Sequence, residues 1–109
     1  MNSIQDLPAW TDAHRQEMLS DLTCFVGKES PSDDKALLGA ALSWLEGWLR
    51  ARLGDPLRRR LVDGGQYGDT LVLDYPAPGA DNWVTALCHY DTVWASGTLA
   101  GWPASIRGD

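Results

Sequence analysis

At 109 residues, 44% of them hydrophobic, the chain has room for one domain and does not read as a disordered tail. Its formal net charge of −6 argues against a nucleic-acid binder, which must neutralise phosphates with Lys and Arg, and against an anionic membrane surface as partner. No apolar run approaches the length of a membrane span, and Met1-Asn2-Ser3-Ile4-Gln5-Asp6 lacks the basic start and apolar core of a secretion signal.

The two cysteines, Cys24 and Cys88, form no Cys-x-x-Cys pair. They read as small buried hydrophobes in a reducing compartment. A cytoplasmic location is the expectation.

The first helix is expected from near Ala9 or Thr11 to Val26. Leu19, Leu22 and Val26 recur at helical spacing, and Met18 and Phe25 widen the stripe. Gly27 suits a left-handed cap after it. His14 and Glu17 share a face, but a polar first turn on a solvated helix explains them without a metal. Ser30-Pro31-Ser32-Asp33-Asp34 then punctuates the chain. Ser30 or Ser32 can cap the next helix, and the aspartates suit its positive end.

The second helix is expected from about Asp33 to Leu53. Leu38, Leu42, Leu45, Leu49 and Leu53 form one stripe; Leu37, Ala41, Trp44 and Trp48 form its neighbour. The joint face is wider than a surface helix needs. It fits a core helix between a sheet and a second partner. Gly54-Asp55-Pro56 stops it.

Leu57 to Val62 reads as a first strand, and Arg58, Arg59 and Arg60 join Arg50 and Arg52 in a basic cluster. A solvated edge strand with cations near a helix C-terminus accounts for it; an anion site is the lesser reading. Gly64-Gly65-Gln66-Tyr67-Gly68 lacks the spacing of a dinucleotide fingerprint. Thr70 to Tyr75 is a second strand, and Pro76 to Asn82 a surface loop. Trp83 to His89 is expected as a third strand, antiparallel to the second. Ala95 to Pro103 is a loop, and Ala104 to Arg107 begins another short strand.

The stretch Val84-Thr85-Ala86-Leu87-Cys88-His89-Tyr90-Asp91-Thr92-Val93 starts as an apolar, β-prone run and ends in two side chains able to serve a metal. Along a strand, residues two apart share a face. His89 and Asp91 then point the same way. The imidazole can bind zinc while the carboxylate fixes its tautomer and raises its basicity. Cys88 and His89 face opposite ways, so they make no dyad. Ser96 lies in no Gly-x-Ser-x-Gly elbow.

His89-Tyr90-Asp91-Thr92-Val93, followed by Gly97, by Gly101-Trp102-Pro103 and by Gly108-Asp109, resembles the aminoacylase, acetylornithine deacetylase and glutamate carboxypeptidase family of zinc metallopeptidases. Ser30-Pro31-Ser32 before a long helix is similar to that family's N-terminal region. The spacing Asp-Thr-Val-x-x-x-Gly-x-Leu leans towards the glutamate carboxypeptidase-like members. The likeness covers nearly the whole chain, and its last third is the specific part.

The resemblance implies an α/β fold: two N-terminal helices with a mixed β-sheet, an incomplete portion of a di-zinc exopeptidase catalytic domain. It implies that residues 1–109 are the N-terminal portion of that single domain, truncated at the C-terminal end. His89 would ligate zinc, one of two ions in the complete enzyme, with cobalt or manganese as alternative metals. Asp91 would be the catalytic-site carboxylate that orients it. The bridging aspartate, the glutamate base and the other ligands would lie further on; Asp109 is not given the bridging role. Substrates would be small peptides or N-acyl amino acids, and the complete enzyme a homodimer. Trp94 and Trp102 would line a substrate cleft or pack under the loop. The competing reading is a non-enzymatic interaction domain, with His89 an ordinary polar group and the helix tryptophans, Trp44 and Trp48, a docking face.

Overall fold

The longest element is a helix over Lys35–Leu53, and the helix before it in the chain packs on it. The computed structural model describes residues 3–108. In chain order these form a 3-10 turn (Ile4–Asp6), α1 (Leu7–Ala13), α2 (Arg15–Val26), α3 (Lys35–Leu53), β1 (Arg58–Val62), β2 (Thr70–Asp74) and a one-turn helix α4 (Thr98–Gly101). The chain thus combines helices with a sheet. Among the described residues no helix is long and apolar enough to cross a membrane.

The single N-terminal helix expected from Ala9 or Thr11 is instead two, and begins earlier. Ser3 and Asp6 close a reciprocal cap on the opening turn. The break falls at His14, whose ring stacks on Trp10 at 4.1 Å and whose Nδ1 lies 2.8 Å from the Trp10 carbonyl. That side chain competes for a carbonyl of the helix ladder, and the backbone there leaves the helical region (φ −107°, ψ 9°). Glu17 turns away to pair with Arg52, so it makes no set with His14. Gly27 is right-handed (φ −68°), not the left-handed cap expected. Its N–H donates to Thr23 and that of Lys28 to Phe25, closing the helix without one.

The cap of α3 is Asp34, not Ser30 or Ser32. Its carboxylate accepts the Leu37 N–H at 3.0 Å. The two serines are committed to another contact. Helix α2 docks on α3 through stacked Phe25, Trp44 and Trp48, with the Trp48 indole N–H donating to Asp21 at 2.9 Å. The tryptophans expected as a docking face therefore already have a partner within the chain.

Strands β1 and β2 form an antiparallel hairpin, Arg58 opposite Asp74 and Val62 opposite Thr70. Its arginines are paired with acids: Arg59 with Glu46, Arg58 and Arg60 with Asp74. Arg50 pairs with Glu46 and Asp55, and Arg52 with Glu17 and Asp21. The cluster is a row of surface ion pairs, and the lesser reading as an anion site falls away. Lys35, at the start of α3, reaches Asp63 at 3.0 Å, Asp69 at 3.1 Å and the Gly65 carbonyl at 2.5 Å. This clasp fastens the hairpin turn to the helix.

The expected third strand does not form. Residues 83–89 are irregular, and Val84 and Leu87 are each 95% exposed. The sheet is accordingly two-stranded and antiparallel, not mixed; the only parallel pairing among the described residues is a single bridge, Pro31 to Thr92. A β-prone run becomes a strand only when a neighbour accepts its backbone groups. The short strand expected over Ala104 to Arg107 is likewise irregular chain after α4. Both cysteines are exposed, because each lies on surface that nothing covers.

The core is small. Leu38 and Ala41 of α3 are its buried apolar side chains, beside buried Ser30 and Pro31. Tyr90 closes it from the other side, its hydroxyl donating to the Asp69 carbonyl at 2.6 Å.

Candidate functional site

The site is built where the segment after α2 crosses the segment after residue 89. The Thr92 N–H donates to the Ser30 carbonyl at 2.8 Å, and the Ser32 N–H to the Thr92 carbonyl at 3.0 Å. The Ser30 hydroxyl donates to the Tyr90 carbonyl at 2.5 Å. Buried Pro31 sits between the two serines, its φ preset by the ring. The strap thereby pins residues 90–92, although no regular strand leads into them.

Asp91 stands at the centre. Its Oδ2 accepts from the Ser32 hydroxyl at 2.7 Å, and its Oδ1 lies 3.3 Å from His89 Nδ1. That nitrogen is also 3.1 Å from the Asp91 backbone carbonyl. The Ser32 hydroxyl holds the Asp91 carboxyl below its ordinary value; desolvation opposes this, and His89 adds to it. An ionised carboxylate and a carbonyl have no proton to give. The ring contact is therefore a hydrogen bond only when Nδ1 carries the proton, which leaves the lone pair on Nε2. His89 is 86% exposed and Asp91 47%, so that lone pair faces open solvent. The two residues expected to act together are thus side by side.

Among the described residues, no group of three or more His, Cys, Asp or Glu side chains is placed to hold a metal ion. The donor set fits one imidazole ligand and its orienting acid, and no closed zinc site. Asp109 lies outside the described residues.

Trp94 and Trp102 meet edge to face at 5.9 Å. With Phe25, Tyr90, Thr92 and Leu99 they border an open cavity of about 450 Å³. His89 and Asp91 do not line it. The loop carrying Trp94 is tied down by Glu29, a residue the sequence reading passed over. Its carboxylate accepts the Gly97 N–H at 2.9 Å, the Leu99 N–H at 3.1 Å and the Ser96 hydroxyl at 3.4 Å. No local pattern marks it, since its partners lie about seventy positions away.

These backbone donors, Gly97 first, hold the Glu29 carboxyl below its ordinary value near 4.5. The folded chain therefore favours the anion. The tie is complete above pH 4.5 and is lost as pH falls through the depressed folded value. On acidification the Gly97 and Leu99 amide resonances should lose their hydrogen-bonded shifts together. In Glu29→Gln that pH dependence should vanish; its persistence would show that another group holds the loop.

Comparison with protein-family models, with curated proteins and with solved structures returns no match to this chain.

Proposed function

We propose that the chain supplies one zinc ligand, His89, and its orienting carboxylate, Asp91, to a hydrolase of amide bonds in small peptides or N-acyl amino acids. The single observation supporting this is the turn of His89 Nδ1 onto Asp91, which directs Nε2 outward as the free donor. Zinc so bound would lower the pKa of a coordinated water to about 7 and polarise a scissile carbonyl. Asp91 holds the ring, and Ser32 and the Thr92 bridge hold Asp91. The remaining ligands and the general base come, in this reading, from polypeptide other than these residues.

The isolated chain should then bind zinc weakly and turn over no N-acyl amino acid. Zinc titrated into it, followed by calorimetry and by the His89 ring nitrogen resonances, should shift Nε2. His89→Ala should abolish that binding and leave the amide spectrum otherwise unchanged. Zinc binding indifferent to His89→Ala overturns the assignment. Tight stoichiometric binding, or turnover, overturns the claim that the centre is completed elsewhere.

A second reading, a protein-interaction module without catalysis, draws on the apolar exposure of residues 83–94, where Val84, Leu87 and Val93 stand in solvent. It predicts only a small stability change for His89→Ala and no zinc response at the ring.

A further inference from the structure

We propose that Ser32 is the positioning residue of the His89 site, acting through Asp91 to select which ring nitrogen is free. This rests on the reading of His89 as a metal ligand. A carboxylate torsion is soft and roughly two-fold, so an unanchored Asp91 samples many orientations. Here each oxygen has its own partner. Oδ2 takes the Ser32 hydroxyl at 2.7 Å, and Oδ1 faces His89 Nδ1. The hydroxyl also lies 3.1 Å from the Thr92 carbonyl, but one proton cannot serve both fully, and the charged, nearer carboxylate is the stronger acceptor.

The position of Ser32 is itself set. Its N–H is bound to the Thr92 carbonyl, and its neighbour Pro31 is buried. The anchor and the carboxylate are thus carried on two segments held in register by backbone bonds, 59 positions apart in the chain. Ser30 is not equivalent. Its hydroxyl goes to a backbone carbonyl and never meets the carboxylate. Of the two serines, Ser32 touches the acid and Ser30 holds the chain.

The test is the tautomer of the neutral His89 ring, read from its ¹⁵N shifts in the metal-free chain. The wild-type ring should be mainly Nδ1–H. Ser32→Ala should lower the ratio of Nδ1–H to Nε2–H by roughly five-fold, the size expected for one net hydrogen bond. Ser32→Thr keeps the hydroxyl and should restore the ratio. Asp91→Asn should lower it too, towards the level that the residue 91 backbone carbonyl, 3.1 Å from Nδ1, sustains by itself, and adding Ser32→Ala to that variant should change little more. Should Ser32→Ala fail to fold, Ser32→Cys, nearly the same shape with a weak donor, makes the same comparison. An unchanged ratio in a folded Ser32→Ala or Ser32→Cys chain, or failure of threonine to restore it, overturns the proposal.

Zinc separates the two levels. A ring that responds to zinc yet ignores Ser32→Ala sinks the role of Ser32 and leaves the ligand assignment standing. A ring whose tautomer follows Ser32 but which ignores zinc sinks the ligand assignment and leaves the positioning contact intact.

Discussion

Leu38→Ala is expected to remove a large part of the chain's stability. Large-to-small changes at buried leucines cost about 2–5 kcal/mol, and a whole domain has only about 5–15 kcal/mol to lose. Leu38 is 1% exposed and, with Ala41, makes up the buried apolar core. It also backs the close approach at Gly68, where an added Cβ would lie 3.2 Å from a Leu38 methyl and 2.6 Å from the Tyr90 hydroxyl. Removing the leucine side chain leaves a cavity beside Gly68, close to Tyr90. Urea unfolding followed by far-ultraviolet circular dichroism should show a midpoint well below that of the wild type. Leu53→Ala, at a side chain 58% exposed on the same helix, is the control and should shift stability by less than about 1 kcal/mol. A Leu38→Ala chain that melts like the wild type would show that stability resides in the helix pair instead.

The purified chain should self-associate at micromolar concentration. Its accessible surface is 8768 Å², where a folded monomer of its mass exposes about 6,000 Å². Its radius of gyration is 16.5 Å against about 13 Å for a compact domain of this length. Part of that exposure lies where the β-prone segment has no neighbour, at Val84, Leu87 and Val93. Val84 and Leu87 are three apart, so in extended chain they point to opposite faces, and both faces are in water. Unpaired backbone flanked by exposed apolar side chains is a template for another chain. Sedimentation velocity should give species larger than the monomer, increasing with concentration. Val84→Lys with Leu87→Lys should return the chain to monomer. A monodisperse wild-type monomer with a cooperative melt would refute this.

Much of the local architecture is legible in the residues. The leucine stripe of α3, its stop at Gly54 and the two strands of the hairpin follow from spacing and turn chemistry within a few positions. What depends on competition between groups is not legible in the residues. At Asp34, the helix chose the nearer of several capping side chains. At His14, a ring stacked on Trp10 shares the Trp10 carbonyl with its own backbone N–H, and the helix breaks there. At residues 83–89, a β-prone run had no partner, and propensity alone does not make a strand.

The candidate site divides the same way. That His89 and Asp91 lie together could be read from the chain, because they are only two positions apart. The hydroxyl that fixes Asp91, the carboxylate that ties down the Trp94 loop and the partners of Trp44 and Trp48 could not, because each joins segments tens of residues apart. Hydrogen bonds of this kind carry no periodic signature. They exist only once packing has brought Ser32 to Asp91 and Glu29 to Gly97, and so the tertiary structure alone decided them.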